Sequence, residues 1–317
     1  MEKKKKLRPT AILFLGFFVM ILVGSLLLFS PLAQNPGEKT SFIDALFVSA
    51  SSSCVTGLSP VNTGSHWSLF GKIVIIVLIQ IGGLGFMTLI TLISWLIKRD
   101  INLYSKSIIM QSAGTFSFGS VKPLLKRILI GTLSFEVTGA LVLMIFFLPK
   151  YGPEGIWMAF FTSISAFCNA GFDLFSDSLV EFNTNPGVLI TITVLILIGG
   201  LGFLVWGDIL DSRFRFKKFQ MHTKIVLVFT GVLIVIPTTL FFLFEFTDIG
   251  NAASMPNFNF GEKLLNSYFL AITPRTAGFY SVNMGNLSPA GKILTIILMF
   301  IGGNSGSTAG GLKVTTF

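Results

Sequence analysis

The chain has 317 residues, of which 52% are hydrophobic, 13% aromatic and only 12% charged, with 34 Phe and a formal net charge of +9. Soluble chains carry about 25% charged residues, so this is not a soluble protein. A disulfide scaffold, a disordered chain and a nucleic-acid binder are excluded as well: the basic residues fall in short clusters between apolar runs, the pattern of membrane topology.

A transmembrane helix takes about 20 mostly apolar residues. Residues 10–30 form the first such run. Lys3, Lys4, Lys5, Lys6 and Arg8 precede it as they would a signal peptide. The apolar part is too long for one, and no small-x-small cleavage site follows, so it reads as a retained helix. A weaker stretch at 42–52 is followed by a second span at 73–97. The same order returns at 128–148, 156–167 and 188–207, and again at 225–244, 264–272 and 293–311. Glycine and serine interrupt the second half of the last run. Six spans therefore enclose three stretches of roughly 9–12 residues, too short to cross and suited to re-entrant segments.

Orientation follows from the bases. Five precede the first span, six lie between Lys98 and Arg127, and five between Arg213 and Lys224, against only Glu2, Asp100, Asp208 and Asp211. The opposite loops hold six bases and nine acids. The positive-inside rule places the sixteen bases, and the N-terminus with them, in the cytoplasm. All three short stretches then dip in from outside. Cys54 and Cys168 stand at the ends of two of them. Their spacing announces neither a disulfide nor a metal site, and both read as small buried apolar side chains.

The dips align on a glycine: Cys54-Val55-Thr56-Gly57-Leu58, Cys168-Asn169-Ala170-Gly171-Phe172 and Arg275-Thr276-Ala277-Gly278-Phe279. The following helices align too, as Ile81-Gly82-Gly83-Leu84-Gly85-Phe86, Ile198-Gly199-Gly200-Leu201-Gly202-Phe203 and Ile301-Gly302-Gly303-Asn304-Ser305-Gly306. The separations between the two motifs are 25, 28 and 24 residues. This is one helix–dip–helix unit written three times, at 1–100, 101–212 and 213–317. The fold class expected is an all-α integral membrane protein of parallel repeats around a central ion pathway.

Non-helical backbone at membrane depth survives only where protein buries it or it lines water. A half-helix pointing inward directs about half a negative charge at the centre, which favours a cation. The extended segment after it can replace a cation's water shell with carbonyl oxygens. No carboxylate lies among these residues. The implied ligands are backbone carbonyls, which suit an alkali cation better than a divalent one.

The stretches SFIDALFVSASSSCVTGL (41–58), LIQIGGLGFM (78–87), SISAFCNAGF (163–172), AITPRTAGF (271–279) and MFIGGNSGSTAGGLKVTTF (299–317) resemble the Trk/Ktr/HKT superfamily of potassium transporters, most closely the Ktr-type membrane subunit. The resemblance covers essentially the whole chain. It implies four helix–dip–helix repeats around one pore in the plasma membrane, homodimerisation, and a cytoplasmic nucleotide-binding regulatory ring. K⁺ is the implied transported ion, with Na⁺ a candidate activating ion. Carried over by motif, the selectivity filter is Val55, Thr56, Gly57 and Leu58; Asn169, Ala170, Gly171 and Phe172; and Thr276, Ala277, Gly278 and Phe279. A serine at the first filter glycine accompanies sodium preference in some plant relatives, so Gly57 argues for potassium. A flexible intramembrane gating loop maps to Gly302, Gly303, Asn304, Ser305, Gly306, Ser307, Thr308, Ala309, Gly310, Gly311 and Lys313. Independently, five glycines in that segment cannot hold a stable apolar helix, since each costs about 1 kcal/mol relative to alanine. The fourth repeat is absent from this chain, which reads as a fragment of a longer protein.

Other readings stay open. The Gly82–Gly85 and Gly199–Gly202 motifs suit close helix packing. Glu136, inside a span, suits a functional acid or a hydrogen bond to a neighbouring helix. Arg275 suits a brace to carbonyls or to a nearby acid. Asp173 and Asp177 suit cation concentration at the mouth, although Asp177 equally suits a solvated loop. His66 and His222 lie on opposite sides and suggest no shared chemistry. Gly303-Asn304-Ser305-Gly306 matches the pattern of intramembrane serine proteases, but no span supplies the histidine base such chemistry needs. A secondary transporter for another solute is the remaining alternative.

Overall fold

The computed structural model describes residues 9–85, 121–246 and 258–313. The basic N-terminal cluster, the end of the 73–97 span, most of the 98–127 basic segment and residues 314–317 lie outside the described residues. Eleven helices organise the described part. They are α1 (Pro9–Phe29), α2 (Phe42–Ser53), α3 (Thr63–His66), α4 (Leu69–Leu84), α5 (Val121–Tyr151), α6 (Glu154–Phe167), α7 (Pro186–Leu201), α8 (Phe203–Asp211), α9 (Met221–Phe246), α10 (Phe260–Ile272) and α11 (Pro289–Phe300). No strand occurs among the described residues.

Local chemistry starts these helices where the chain needs them. Ser41, Ser68, Asn185, Asn259 and Ser288 each occupy the N-cap position, and each side chain accepts a hydrogen bond from a backbone N–H of the first turn. Pro186 and Pro289 follow two of these caps, at the position where a missing N–H costs nothing. At α10, Asn259 and Glu262 form a reciprocal capping box. Glu245, buried at the end of α9, accepts from the Ser288 N–H at 3.2 and 3.1 Å and from its hydroxyl at 2.6 Å. A buried carboxylate thus sits at the positive N-terminal end of α11.

Three times the chain runs long helix, short helix, turn, helix: α1–α2–α4, α5–α6–α7 and α9–α10–α11. The first two units share packing detail. Ser49 Oγ of α2 donates to the Ile21 carbonyl of α1 at 2.8 Å, and Ser163 Oγ of α6 donates to the Glu136 carbonyl of α5 at 2.7 Å. A Cβ added at Gly24 would meet Ser49 and Leu78, and one added at Gly139 would meet Ser163 and Leu195. Small residues there let the short helix lie close against its neighbours. The core between units holds Trp67, Phe147, Phe161, Phe167, Phe172, Phe269 and Phe279, all essentially buried. Large apolar side chains are exposed along the outer helix faces, among them Phe14, Ile145, Val235 and Ile293, as a lipid-facing surface requires.

Two helices among the described residues are long and apolar enough to cross a membrane unbroken, 126–151 and 221–246. Residues 188–207, expected as one continuous span, instead break at Gly202, where α7 and α8 bend by 91°. Gly202 has φ +94°, and the N–H of Phe203 leaves the helix ladder to donate to the Gly306 carbonyl at 2.8 Å. The helix breaks because another segment supplies the partner. Glu136 is buried on α5, and its carboxylate accepts from Gln80 Nε2 of α4 at 2.9 Å, which is the neighbouring-helix hydrogen bond.

Candidate functional site

The three turns that follow α2, α6 and α10 have the same backbone. In each, the glycine adopts positive φ (Gly57 +85°, Gly171 +72°, Gly278 +85°), and so does the residue two positions earlier (Val55 +56°, Asn169 +57°, Thr276 +72°). Val55 and Thr276 are β-branched, for which this region is a real outlier costing on the order of 1–3 kcal/mol. The same positive-φ register recurs in all three turns, strained at Val55 and Thr276 and tolerated at Asn169. In the first two turns the N–H just before the glycine folds back five residues onto the half-helix: Thr56 to the Ser51 carbonyl and Ala170 to the Ser165 carbonyl, both at 2.8 Å. In the third, Ala277 and Gly278 both donate to the Thr273 carbonyl, while the Thr273 hydroxyl donates to the Phe279 carbonyl.

The turns meet one another at their glycines. A Cβ at Gly57 would stand 2.4 Å from the Ala170 carbonyl oxygen, and one at Gly171 would stand 2.6 Å from that of Ala277. One at Gly278 would lie 3.2 Å from the Gly171 Cα. The carbonyl just before the glycine therefore lies against the glycine of the preceding unit, twice over. No side chain fits between. Phe172 and Phe279 are buried beyond these turns, whereas Leu58 is exposed.

Residues 302–313 form a folded loop that docks onto the second unit. Gly302 N–H donates to the Leu312 carbonyl and Gly303 N–H to that of Gly310, which closes the loop on itself. Asn304 reaches the Gly200 carbonyl through both its backbone N–H and its Nδ2, each at 3.0 Å. Thr308 N–H donates to the Gly199 carbonyl, and its hydroxyl donates to the Phe167 carbonyl at 2.9 Å. Asn169 Nδ2 donates to that same hydroxyl at 3.1 Å, so a turn residue and a loop residue are bonded directly. Ser307 Oγ donates to the Asn304 carbonyl and Lys313 Nζ to the Ala309 carbonyl. A cavity of 370 Å³ separates the end of α2 from the loop; Ser53, Cys54 and Val55 line one side and Gly306, Thr308 and Gly310 the other.

Of the residues expected from the sequence, the structure brings together Gly57, Ala170, Gly171, Ala277 and Gly278 across the turns, and Asn169 with Thr308 between turn and loop. Two readings change. Cys54, expected buried, is exposed on the cavity, while Cys168 is buried. The Arg275 side chain, expected to brace carbonyls or an acid, makes no hydrogen bond or ion pair among the described residues, its Nε is buried without a partner, and the residue is 7% exposed. The Gly-Gly pairs do serve close approach, with a Cβ at Gly82 or Gly199 meeting the Ser53 or Phe167 carbonyl. Gly199 and Gly200 also offer the carbonyls that seat the loop, a role the helical pattern of the sequence hid. His66, paired with Thr40 and Glu38, is the last residue of α3.

An apolar helical body with strained turns meeting at its centre and a glycine-rich loop beneath defines an integral membrane protein built to pass a small ion. The comparisons agree. The family model described as "TrkH: Cation transport protein" matches residues 14–317, and the chain belongs to that family of transporters rather than to any family of enzymes. It is 43% identical over 314 residues to the potassium/sodium uptake protein NtpJ of Enterococcus hirae, covering 99% of this chain and 68% of that one. It is 41% identical to the Ktr system potassium uptake protein B of Bacillus subtilis, covering 98% of this chain and 68% of the relative. The fold is similar to the crystal structure of the potassium transporter TrkH from Vibrio parahaemolyticus, with a TM-score of 0.72 at 18% identity. That match covers 99% of this chain and 61% of the solved chain.

The glycine geometry makes a contrast that can be measured. Gly171→Ala forces a left-handed alanine, costing about 1–2 kcal/mol by handedness alone, and drives its Cβ against a backbone oxygen. It is expected to lower the melting temperature in detergent clearly. Gly200→Ala meets nothing within 4 Å and is expected to melt at or slightly above the parent temperature. Equal melting temperatures for the two would contradict the convergence of the turns.

Proposed function

We propose that this chain forms the ion-translocating part of a Ktr-type potassium uptake system, with Val55–Leu58, Asn169–Phe172 and Thr276–Phe279 as filter segments and 302–313 as the gate. The observation that carries this reading is the juxtaposition of Ala170 and Ala277 carbonyls with Gly57 and Gly171. Backbone oxygens at the ends of inward-pointing half-helices are the ligands an alkali cation needs after losing its water. The names of the relatives, potassium/sodium uptake and Ktr potassium uptake, support the ion class. The units run over 1–100, 101–212 and 213–317, and the chain spans about two thirds of the length of its curated relatives, so the activity is assigned to the intact protein.

The membrane is the plasma membrane, with the N-terminus and the basic segments cytoplasmic. K⁺ then moves inward down a potential worth about 2.3 kcal/mol per charge per 100 mV. The loop occupies the cytoplasmic side of the filter, and Lys313 places a cation beside the path. A homodimer and a cytoplasmic nucleotide-binding ring complete the system, and Na⁺ is its activating ion.

Rubidium uptake by potassium-uptake-deficient cells expressing the intact protein tests the filter. Gly57→Ser is expected to weaken K⁺ over Na⁺ discrimination by at least severalfold, and unchanged selectivity would sink the assignment. A second expectation concerns the outer mouth. Asp173 follows the second filter segment; burial pushes its carboxyl up to about 6, against hydrogen bonds from Ser178 and the Phe175 N–H. Above pH 6 it is charged and attracts cations; below pH 6 it takes up a proton and the attraction fades. Uptake at low K⁺ is expected to fall as external pH drops from 7 to 5. Asp173→Asn should flatten that part of the profile, and an unaltered profile would remove Asp173 from the mouth.

A further inference from the structure

Four buried polar side chains surround one small cavity of 20 Å³: Asn169, Thr230, Arg275 and Asn304. They are 1%, 8%, 7% and 1% exposed respectively. Each leaves one atom that no protein group satisfies among the described residues: Asn169 Oδ1, Thr230 Oγ1, Arg275 Nε and Asn304 Oδ1. The two amides are oriented by their other bonds. Asn169 Nδ2 donates to the Ile196 carbonyl and the Thr308 hydroxyl, and Asn304 Nδ2 donates to the Gly200 carbonyl. Their oxygens are therefore acceptors left without a protein donor, on two residues that line the same cavity.

Buried polar groups in native proteins are rarely left unpaired. Four around one cavity point to an occupant. A space of roughly 10–15 Å³ or more with two to four polar partners holds one water molecule. The inventory matches: two amide oxygens accept, the Arg275 Nε–H donates, and the Thr230 hydroxyl donates. A water offers two protons and two lone pairs to just that set. A cation is repelled by the Arg275 guanidinium, an anion by the two amide oxygens, and an apolar group satisfies none of the four.

We propose that this cavity binds one structural water that ties the second filter turn (Asn169), the end of the third half-helix (Arg275), helix α9 (Thr230) and the loop (Asn304) into a single hydrogen-bonded node. Arg275 stands just past the C-terminal end of α10, where the helix dipole already favours a cation, so the guanidinium needs a hydrogen-bond acceptor more than it needs a counter-charge. The water supplies one. Lifting the loop detaches Asn304 and leaves the node incomplete, so the node holds the loop in its seated position. This consequence, but not the water itself, rests on the reading of 302–313 as a gate.

A structure of the intact protein at a resolution that shows water is expected to hold one density peak within hydrogen-bond distance of all four atoms. A dry cavity, or a side chain filling it, overturns the proposal. Thermal denaturation in detergent gives an independent readout. Thr230→Val removes only the hydroxyl, and Asn304→Ala removes the loop's amide. Each is expected to lower the melting temperature by about 2–4 °C, and the double variant by little more than the larger single loss, because both act through one water. Additive losses contradict the shared node. Thr230→Ser keeps the hydroxyl and is expected to melt with the parent; a loss as large as that of Thr230→Val overturns the role given to the hydroxyl. The melt does not depend on which ion passes, so a node that fails and a potassium reading that fails give different results.

Discussion

Lipid offers no hydrogen bonds, and everything in this structure follows from that constraint. Backbone that leaves the helical form at membrane depth must find its partners within the protein. Each half-helix ends in a turn whose N–H groups fold back onto the half-helix carbonyls, and the remaining polar backbone faces the turns of the neighbouring units. The glycines are required because the backbones meet there. Any side chain at Gly57 or Gly171 would occupy the space of a carbonyl oxygen. What satisfies the backbone also builds a cluster of carbonyls at the negative ends of helices, and that cluster is the proposed cation site.

The same constraint explains the loop. Breaking α7 at Gly202 and ending α11 at Phe300 releases backbone groups in both helices, and the two breaks answer each other. Phe203 N–H meets the Gly306 carbonyl, and the carbonyls of Gly199 and Gly200 meet Thr308 and Asn304. The loop is thus held by a small number of hydrogen bonds to backbone rather than by apolar packing. Such contacts exchange without rearranging a core, which suits the gating role proposed for 302–313. Asn169 and Thr308 join the loop to the second turn directly, so loop position and turn geometry are linked through this side-chain contact and, as proposed, one water.

Much of this was legible in the sequence. The units and their turns followed from hydropathy runs and from glycines recurring at matched spacing, because both report local demands: apolar length for a span and positive φ for a turn. Gly57, Gly171 and Gly278 were found this way, and so was the loop. The break at Gly202 was not, since residues 188–207 are apolar throughout and the cause lies about a hundred residues away in Gly306. Cys54 was misplaced because its exposure depends on a cavity closed by residues 306–310. Arg275 looked like an ordinary brace; that it reaches no protein partner among the described residues is a three-dimensional fact to which no periodicity points. Thr230 carried no signal at all in an apolar helix. In each miss the deciding partner is distant in sequence, whereas each success rested on local pattern.

Anomalous diffraction from the intact protein with Tl⁺ in place of K⁺ locates the cation site. A peak is expected at the centre of the three turns, within coordinating distance of the carbonyls just before Gly171 and Gly278. The proposed site would be contradicted by a map in which Tl⁺ occupies other sites while the space between Gly57, Gly171 and Gly278 holds none.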